Sequence, residues 1–144
     1  QAKAILGNKG REQEVIRLAN QALALQPSAE GYFYRAHGKS ALDNYKGAIA
    51  DYNKAIDINP QYVLAYTNRG AAKNNLGDSQ GALADYNKAL EINPQDAAAY
   101  YNRGNTKCEL KDYQGAIADY TKAIEINPQF ALAFMIPPLY SHLH

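Results

Sequence analysis

The sequence predicts an all-α fold, a solenoid of antiparallel helix hairpins forming one continuous domain. Three observations predict it. Asn-Pro recurs at Asn59-Pro60, Asn93-Pro94 and Asn127-Pro128, a spacing of 34 residues. Small side chains recur between the prolines at fixed places, where they let two helices approach closely. Both halves of each unit carry helix-forming residues, and Asp43-Asn44, Gly77-Asp78 and Lys111-Asp112 between them stop one helix and start the next.

Taken in order, residues 1–28 read as a partial unit. Its first ten residues look like the end of a truncated A helix, and REQEVIRLANQALALQP like a B helix ending at Pro27. Three full units follow, 29–62, 63–96 and 97–130, each helix A, tight turn, helix B. The last two share about 21 of 34 residues, far beyond the chance likeness of two helical segments. Pro60, Pro94 and Pro128 cannot join a helical ladder, so each B helix ends before the next A helix begins, which excludes one long coiled coil. Residues 131–144 start a further A helix that Pro137-Pro138 terminates after about two turns.

The pattern resembles the tetratricopeptide repeat family, as a bacterial-type array. Repeat position 4 is Tyr32, Tyr66 and Tyr100; position 8 is Ala36, Gly70 and Gly104; position 20 is Ala48, Ala82 and Ala116. Position 24 is Tyr52, Tyr86 and Tyr120, and position 27 is Ala55, Ala89 and Ala123. The resemblance implies a right-handed superhelix whose concave face, lined by A helices, holds a peptide or a partner's helix.

By that resemblance the groove presents Phe33, Tyr34, His37, Thr67, Asn68, Asn75, Tyr101, Asn102 and Asn105 as partner-binding residues. The inward positions also take in Glu30, Ser40, Ala41, Leu64, Ala71, Asn74, Ala98, Cys108 and Glu109. Asparagine offers donor and acceptor together, so Asn68 and Asn102 suit a peptide unit, and the aromatics suit apolar contacts. Members that clamp an acidic chaperone tail use lysine, two asparagines, lysine and arginine, where this chain has Phe33, His37, Asn68, Ala98 and Asn102. Only Asn68 matches, so such a tail is expected to show no saturable binding below about 100 μM.

Two departures from the family pattern are charged. Position 7 is Arg35, Arg69 and Arg103, and position 23 is Asp51, Asp85 and Asp119. A hairpin turning near position 15 sets these at one height, which predicts a recurring Arg–Asp bond between the helices. Lys39, Lys73 and Lys107 at position 11 are expected to lay their stems on apolar surface with the ammonium in water. Lys54/Asp57, Lys88/Glu91 and Lys122/Glu125 are expected to pair on the solvent side.

Composition narrows the function. With 47% hydrophobic residues the chain can build a core, and its net charge of +1 gives no field to gather nucleic acid or an anionic membrane. No apolar run approaches the roughly 20 residues of a membrane span. The single Cys108 suits a reducing, cytoplasmic setting, although the chain, which begins at Gln1, reads as a possible excised piece. His37, His142 and His144 are too scattered for a metal site, Gly47, Gly81 and Gly115 make no phosphate-cradling loop, and no nucleophile and base can be assembled.

The reading is therefore a non-enzymatic scaffold without cofactor or metal that binds a protein or peptide in its groove. Two alternatives stand beside it. One is homo-oligomerisation through an uncapped C-terminal end bearing Phe130, Phe134, Met135, Ile136 and Leu139, with Leu132 in the same stretch. The other is a docking module cut from a larger enzyme.

Overall fold

The computed structural model describes residues 2–131, with side chains from residue 9 onward. Those residues form seven helices and no strand: α1 (Ala2–Leu25), α2 (Ala29–Ala41), α3 (Tyr45–Ile58), α4 (Val63–Asn75), α5 (Ser79–Ile92), α6 (Ala97–Glu109) and α7 (Tyr113–Ile126). The architecture is an all-α helical repeat solenoid. Helices α2/α3, α4/α5 and α6/α7 are the hairpins, and α1 packs on α2 as a B helix would. The A helices α2, α4 and α6 touch one another in succession, whereas α3, α5 and α7 make no comparable contact. This one-sided closeness curves the stack and puts the A helices on its concave side.

Each A helix ends on the same device. Asp43, Gly77 and Lys111 take positive φ of 65, 86 and 66°, the left-handed turn that reverses the chain. The following residue caps the B helix: Asn44, Asp78 and Asp112 accept from the amides of Gly47, Gly81 and Gly115 at 3.1, 2.9 and 3.0 Å. Those glycines recur because a Cβ there would collide with the capping side chain.

The core is alanine and tyrosine. Ala48, Ala55, Ala82 and Ala89 are fully buried, and Tyr52 and Tyr86 nearly so. At position 8 of the second and third repeats the ring takes the place of a side chain: a Cβ on Gly70 would lie 2.7 Å from Tyr86, and one on Gly104 2.6 Å from Tyr120, whereas the first repeat buries Ala36 there.

The Arg–Asp bond is present in all three hairpins. Arg35, Arg69 and Arg103 each grip an aspartate bidentately, the shorter contacts being 2.7 Å to Asp51, 2.7 Å to Asp85 and 2.6 Å to Asp119. The remaining Nη1 reaches back one unit, donating to Asn20, Asn53 and Asn87 at 3.0, 2.8 and 2.9 Å. The network therefore ties helix A to helix B and each hairpin to the one before. Each guanidinium also lies over the position 4 tyrosine, at 5.5, 5.5 and 5.4 Å from its ring centre. Burial opposes ionisation of Asp51, but the bonds from Arg35 and Lys39 outweigh it and hold the carboxyl below its ordinary value.

Three expectations need correction. Lys39, Lys73 and Lys107 do not merely snorkel into water; each ammonium reaches the same aspartate, at 3.0, 3.1 and 3.0 Å. A lysine stem spans the turn of helix that separates positions 7 and 11. Of the expected solvent-side pairs only Lys88–Glu91 comes within bonding range among the described residues, at 3.7 Å. The first ten residues are not the end of a separate A helix, because α1 runs unbroken from Ala2 to Leu25. No proline interrupts its amide ladder, so nothing in the backbone forces a turn there.

Candidate functional site

The concave face carries the same pocket twice, one repeat apart. Between α2 and α4 a cavity of ≈ 240 Å³ is lined by His37, Ser40, Ala41, Tyr45, Tyr52, Asn68, Ala71 and Asn75. Between α4 and α6 a cavity of ≈ 390 Å³ is lined by Ala71, Asn74, Asn75, Tyr86, Asn102, Asn105, Cys108, Glu109 and Tyr120. Positions 6, 9 and 13 of the A helices and the position 24 tyrosine recur in both; asparagine at position 6 and tyrosine at position 24 keep their identity, while positions 9 and 13 change from His37 and Ala41 to Ala71 and Asn75 and then to Asn105 and Glu109. The walls hold amides and aromatic rings. Charge is sparse there: Arg35, Arg69, Arg103 and the position 11 lysines are engaged with buried aspartates instead.

The position 24 tyrosines serve both core and groove. Their rings pack between helices while the hydroxyls reach the pocket side: Tyr120 donates to Asn105 Oδ1 at 2.6 Å. Burial opposes the charged form and pushes all three phenols above their ordinary value, so they stay neutral donors.

Of the residues expected in the groove, His37, Asn68 and Asn75 line the first pocket, and Asn75, Asn102 and Asn105 the second. Phe33 and Thr67 are corrections. Phe33 is 7% exposed and Thr67 2%, so neither offers surface to a partner. The cause is position 34 of the same repeat, which folds over position 5. Tyr62 stacks on Phe33 with ring centres 5.0 Å apart, Thr67 donates to Asp96 Oδ2 at 2.8 Å, and Phe130 lies 5.2 Å from Tyr101. Each pair is chemically matched, and Asp96 also caps α6 through Ala99. Tyr101 is thus half covered and Phe130 is engaged within its own chain. Tyr34 is exposed but belongs elsewhere, to an apolar cavity of ≈ 380 Å³ that it shares with Val15, Leu18, Ala19 and Ala22 of α1. Phe134, Met135, Ile136 and Leu139 lie outside the described residues.

Sequence reasoning did not single out Tyr52, Tyr86 and Tyr120 as groove residues; Asn74 and Glu109, which it places among the inward positions, do line the second pocket. A tyrosine rather than phenylalanine at position 24 was the available signal, since a buried ring with a hydroxyl needs a polar outlet. Among the described residues no three of His, Cys, Asp and Glu converge as metal ligands, and no helix is long and apolar enough to cross a membrane.

Comparison with known proteins agrees with this geometry. The family model for the tetratricopeptide repeat matches residues 63–96 and 97–130, and a TPR repeat model matches residues 41–77. The chain belongs to the tetratricopeptide repeat family. As a tetratricopeptide array it is a protein–protein interaction module, of a family that is in general non-enzymatic.

Among solved tetratricopeptide structures, the Arabidopsis OM64 TPR domain is 29% identical with a TM-score of 0.70, over 71% of this chain and 84% of that one. The first TPR of Spaghetti bound to the HSP90 peptide SRMEEVD is 28% identical with a TM-score of 0.68, over 70% and 80%. A MamA crystal structure shares the fold, with a TM-score of 0.72 at 24% identity over 86% and 68%. Among curated proteins, the SGT1 homolog of Oryza sativa subsp. japonica is 45% identical over 56 residues, 38% of this chain and 15% of that protein. The small glutamine-rich tetratricopeptide repeat-containing protein of Dictyostelium discoideum is 39% identical over 64 residues, 44% of this chain and 19% of that protein. The match thus spans under a fifth of either relative.

Proposed function

We propose that the concave face formed by α2, α4 and α6 binds an extended segment or a helix of another protein. The observation that carries this reading is the repetition of one pocket at equivalent positions, with Asn68 in the first and Asn102 in the second. A polypeptide is itself periodic, and an amide can donate and accept to one peptide unit while rings beside it take the side chains. The absence of free cations from both walls disfavours an acidic tail, unlike the peptide bound by the Spaghetti domain.

The test is selection from a displayed random-peptide library, followed by titration of the winners against the chain and against Asn68→Ala plus Asn102→Ala. The groove reading expects enriched peptides whose affinity falls about ten-fold or more in the double variant, with the helical circular dichroism unchanged. Equal affinity for both proteins rejects this placement of the site.

Self-association through the C-terminal end is a second reading, supported by Ile117. It is 58% exposed, while its counterparts Ile49 and Leu83 are half-buried. Sedimentation across a concentration series, repeated with Ile117→Glu, tests it. Phe130, half-buried, packs on Tyr101 within the same chain.

A further inference from the structure

Helix α1 is a B helix whose A-helix face is open. A contact fixes its register: Asn20 accepts from Arg35 as Asn53 and Asn87 accept from Arg69 and Arg103, so Asn20 stands at position 25. Leu18 and Ala22 are then positions 23 and 27. In the complete hairpins both positions are buried, as Asp51, Asp85 and Asp119 and as Ala55, Ala89 and Ala123. In α1, Leu18 is 50% exposed and Ala22 is exposed too. Gly10 and Arg11, at positions 15 and 16 where the other hairpins turn, lie inside the unbroken α1, so the chain does not double back there to cover this face. The open face is one wall of the apolar cavity of ≈ 380 Å³, and Gly31 and Tyr34 of α2 line the other.

A complete repeat shows what belongs in such a seat. Tyr66, at position 4, packs in one buried cluster with Ala89 and Leu90, positions 27 and 28 of its own B helix, and with Ala99, position 3 of the next A helix. The counterparts in the open unit are Ala22, Leu23 and Gly31, and Ala22 and Gly31 line the cavity. Charge selects further. The A helices of this chain bring an arginine at position 7 and a lysine at position 11, both engaged with the position 23 aspartate. Against Leu18 such cations would lose water and gain no partner.

The seat therefore suits a segment with an aromatic ring at position 4, apolar neighbours and no arginine or lysine. Residues 132–144 of this sequence, LAFMIPPLYSHLH, have that chemistry: Phe134 takes position 4, Pro137 replaces the arginine at position 7, and Lys, Arg, Asp and Glu are all absent. The segment cannot reach the seat of its own molecule. It leaves beyond α7, three hairpins from α1, with packed helices about 8–10 Å apart, whereas Phe134 stays within about 11 Å of Ala131 even fully extended.

We propose that the cavity between α1 and α2 takes the C-terminal segment of a second copy, with Phe134 against Ala22, Leu23 and Gly31. The A half at one end of the chain and the B half at the other then complete one repeat between two molecules. Seat and tail are different surfaces, so the contact is heterologous and the array grows head to tail. This inference rests on the self-association reading and is independent of the peptide groove.

Sedimentation velocity of the full chain over a concentration series tests it, beside Leu18→Lys, which blocks the seat, Phe134→Lys, which blocks the tail, and an equimolar mixture of the two. The unaltered chain is expected to grow past the dimer. Each variant alone is expected to associate about ten-fold or more weakly, with helical circular dichroism unchanged. The mixture is expected to form dimers and nothing larger, because one intact seat meets one intact tail. Ala22→Lys, at a second exposed position, blocks the same seat and replaces Leu18→Lys should that variant lose helix. If the unaltered chain associates and the seat variants associate equally well, or if the mixture stays monomeric, the seat is rejected while self-association stands. A monomeric unaltered chain at every concentration rejects both.

Discussion

Replacing Asp85 with alanine removes the centre of the middle hairpin's ion network. Its carboxylate, 5% exposed, accepts from Arg69 Nη2 at 2.7 Å and Nε at 2.9 Å, and meets Lys73 Nζ at 3.1 Å. Without it two cations are left facing each other in a partly dry space. Breaking a fully buried ion pair costs about 3–5 kcal/mol. Here Arg69 and Lys73 are 17% and 23% exposed, and Arg69 keeps Asn53 and the Tyr66 ring, so the expected loss is at the lower end, about 3 kcal/mol. Urea unfolding followed by far-UV circular dichroism measures it, and a cycle with Arg69→Ala isolates the pair, for which a coupling near 2 kcal/mol is expected. A loss under about 0.5 kcal/mol, the worth of a solvated pair, would refute the claim that this network holds the repeats together.

Other outcomes follow from the same geometry. Because the folded Asp51 carboxyl lies below its ordinary value, its contribution is present above about pH 4 and is lost as pH falls through the lower folded value. Urea midpoints measured across that window should drop, and Asp51→Asn should flatten the drop. Lys111→Gly is expected to stabilise by about 1 kcal/mol, since φ of 66° is strained for lysine, while Gly77→Ala loses a similar amount; thermal melts read both. Thr67→Val should cost about 1 kcal/mol by orphaning Asp96 Oδ2, without altering peptide binding, because Thr67 is covered.

The hairpins were legible because a 34-residue period with fixed small residues and prolines leaves few ways to pack. The Arg–Asp bond was legible for a geometric reason: positions 7 and 23 sum to about twice the turn position, so they lie level across the hairpin. Groove membership was harder to read. Phe33 and Thr67 sit on the rim of the inward stripe, and whether they face solvent depends on the residue that folds over them from position 34, a contact 29 residues away. Tyr62, Asp96 and Phe130 read as linker residues in one dimension and become lids in three. The reach of Lys73 to Asp85 is not legible in the spacing because a long stem tolerates a full helical turn of offset.

The central claim is that the A-helix face binds a partner's polypeptide. Chemical-shift mapping of the chain with a library-selected peptide tests it most directly. The account predicts that the largest changes fall on the side-chain amides of Asn68, Asn75, Asn102 and Asn105, which line the two pockets. Changes confined to α3, α5 and α7, or to the exposed surface around Ile117, would contradict it.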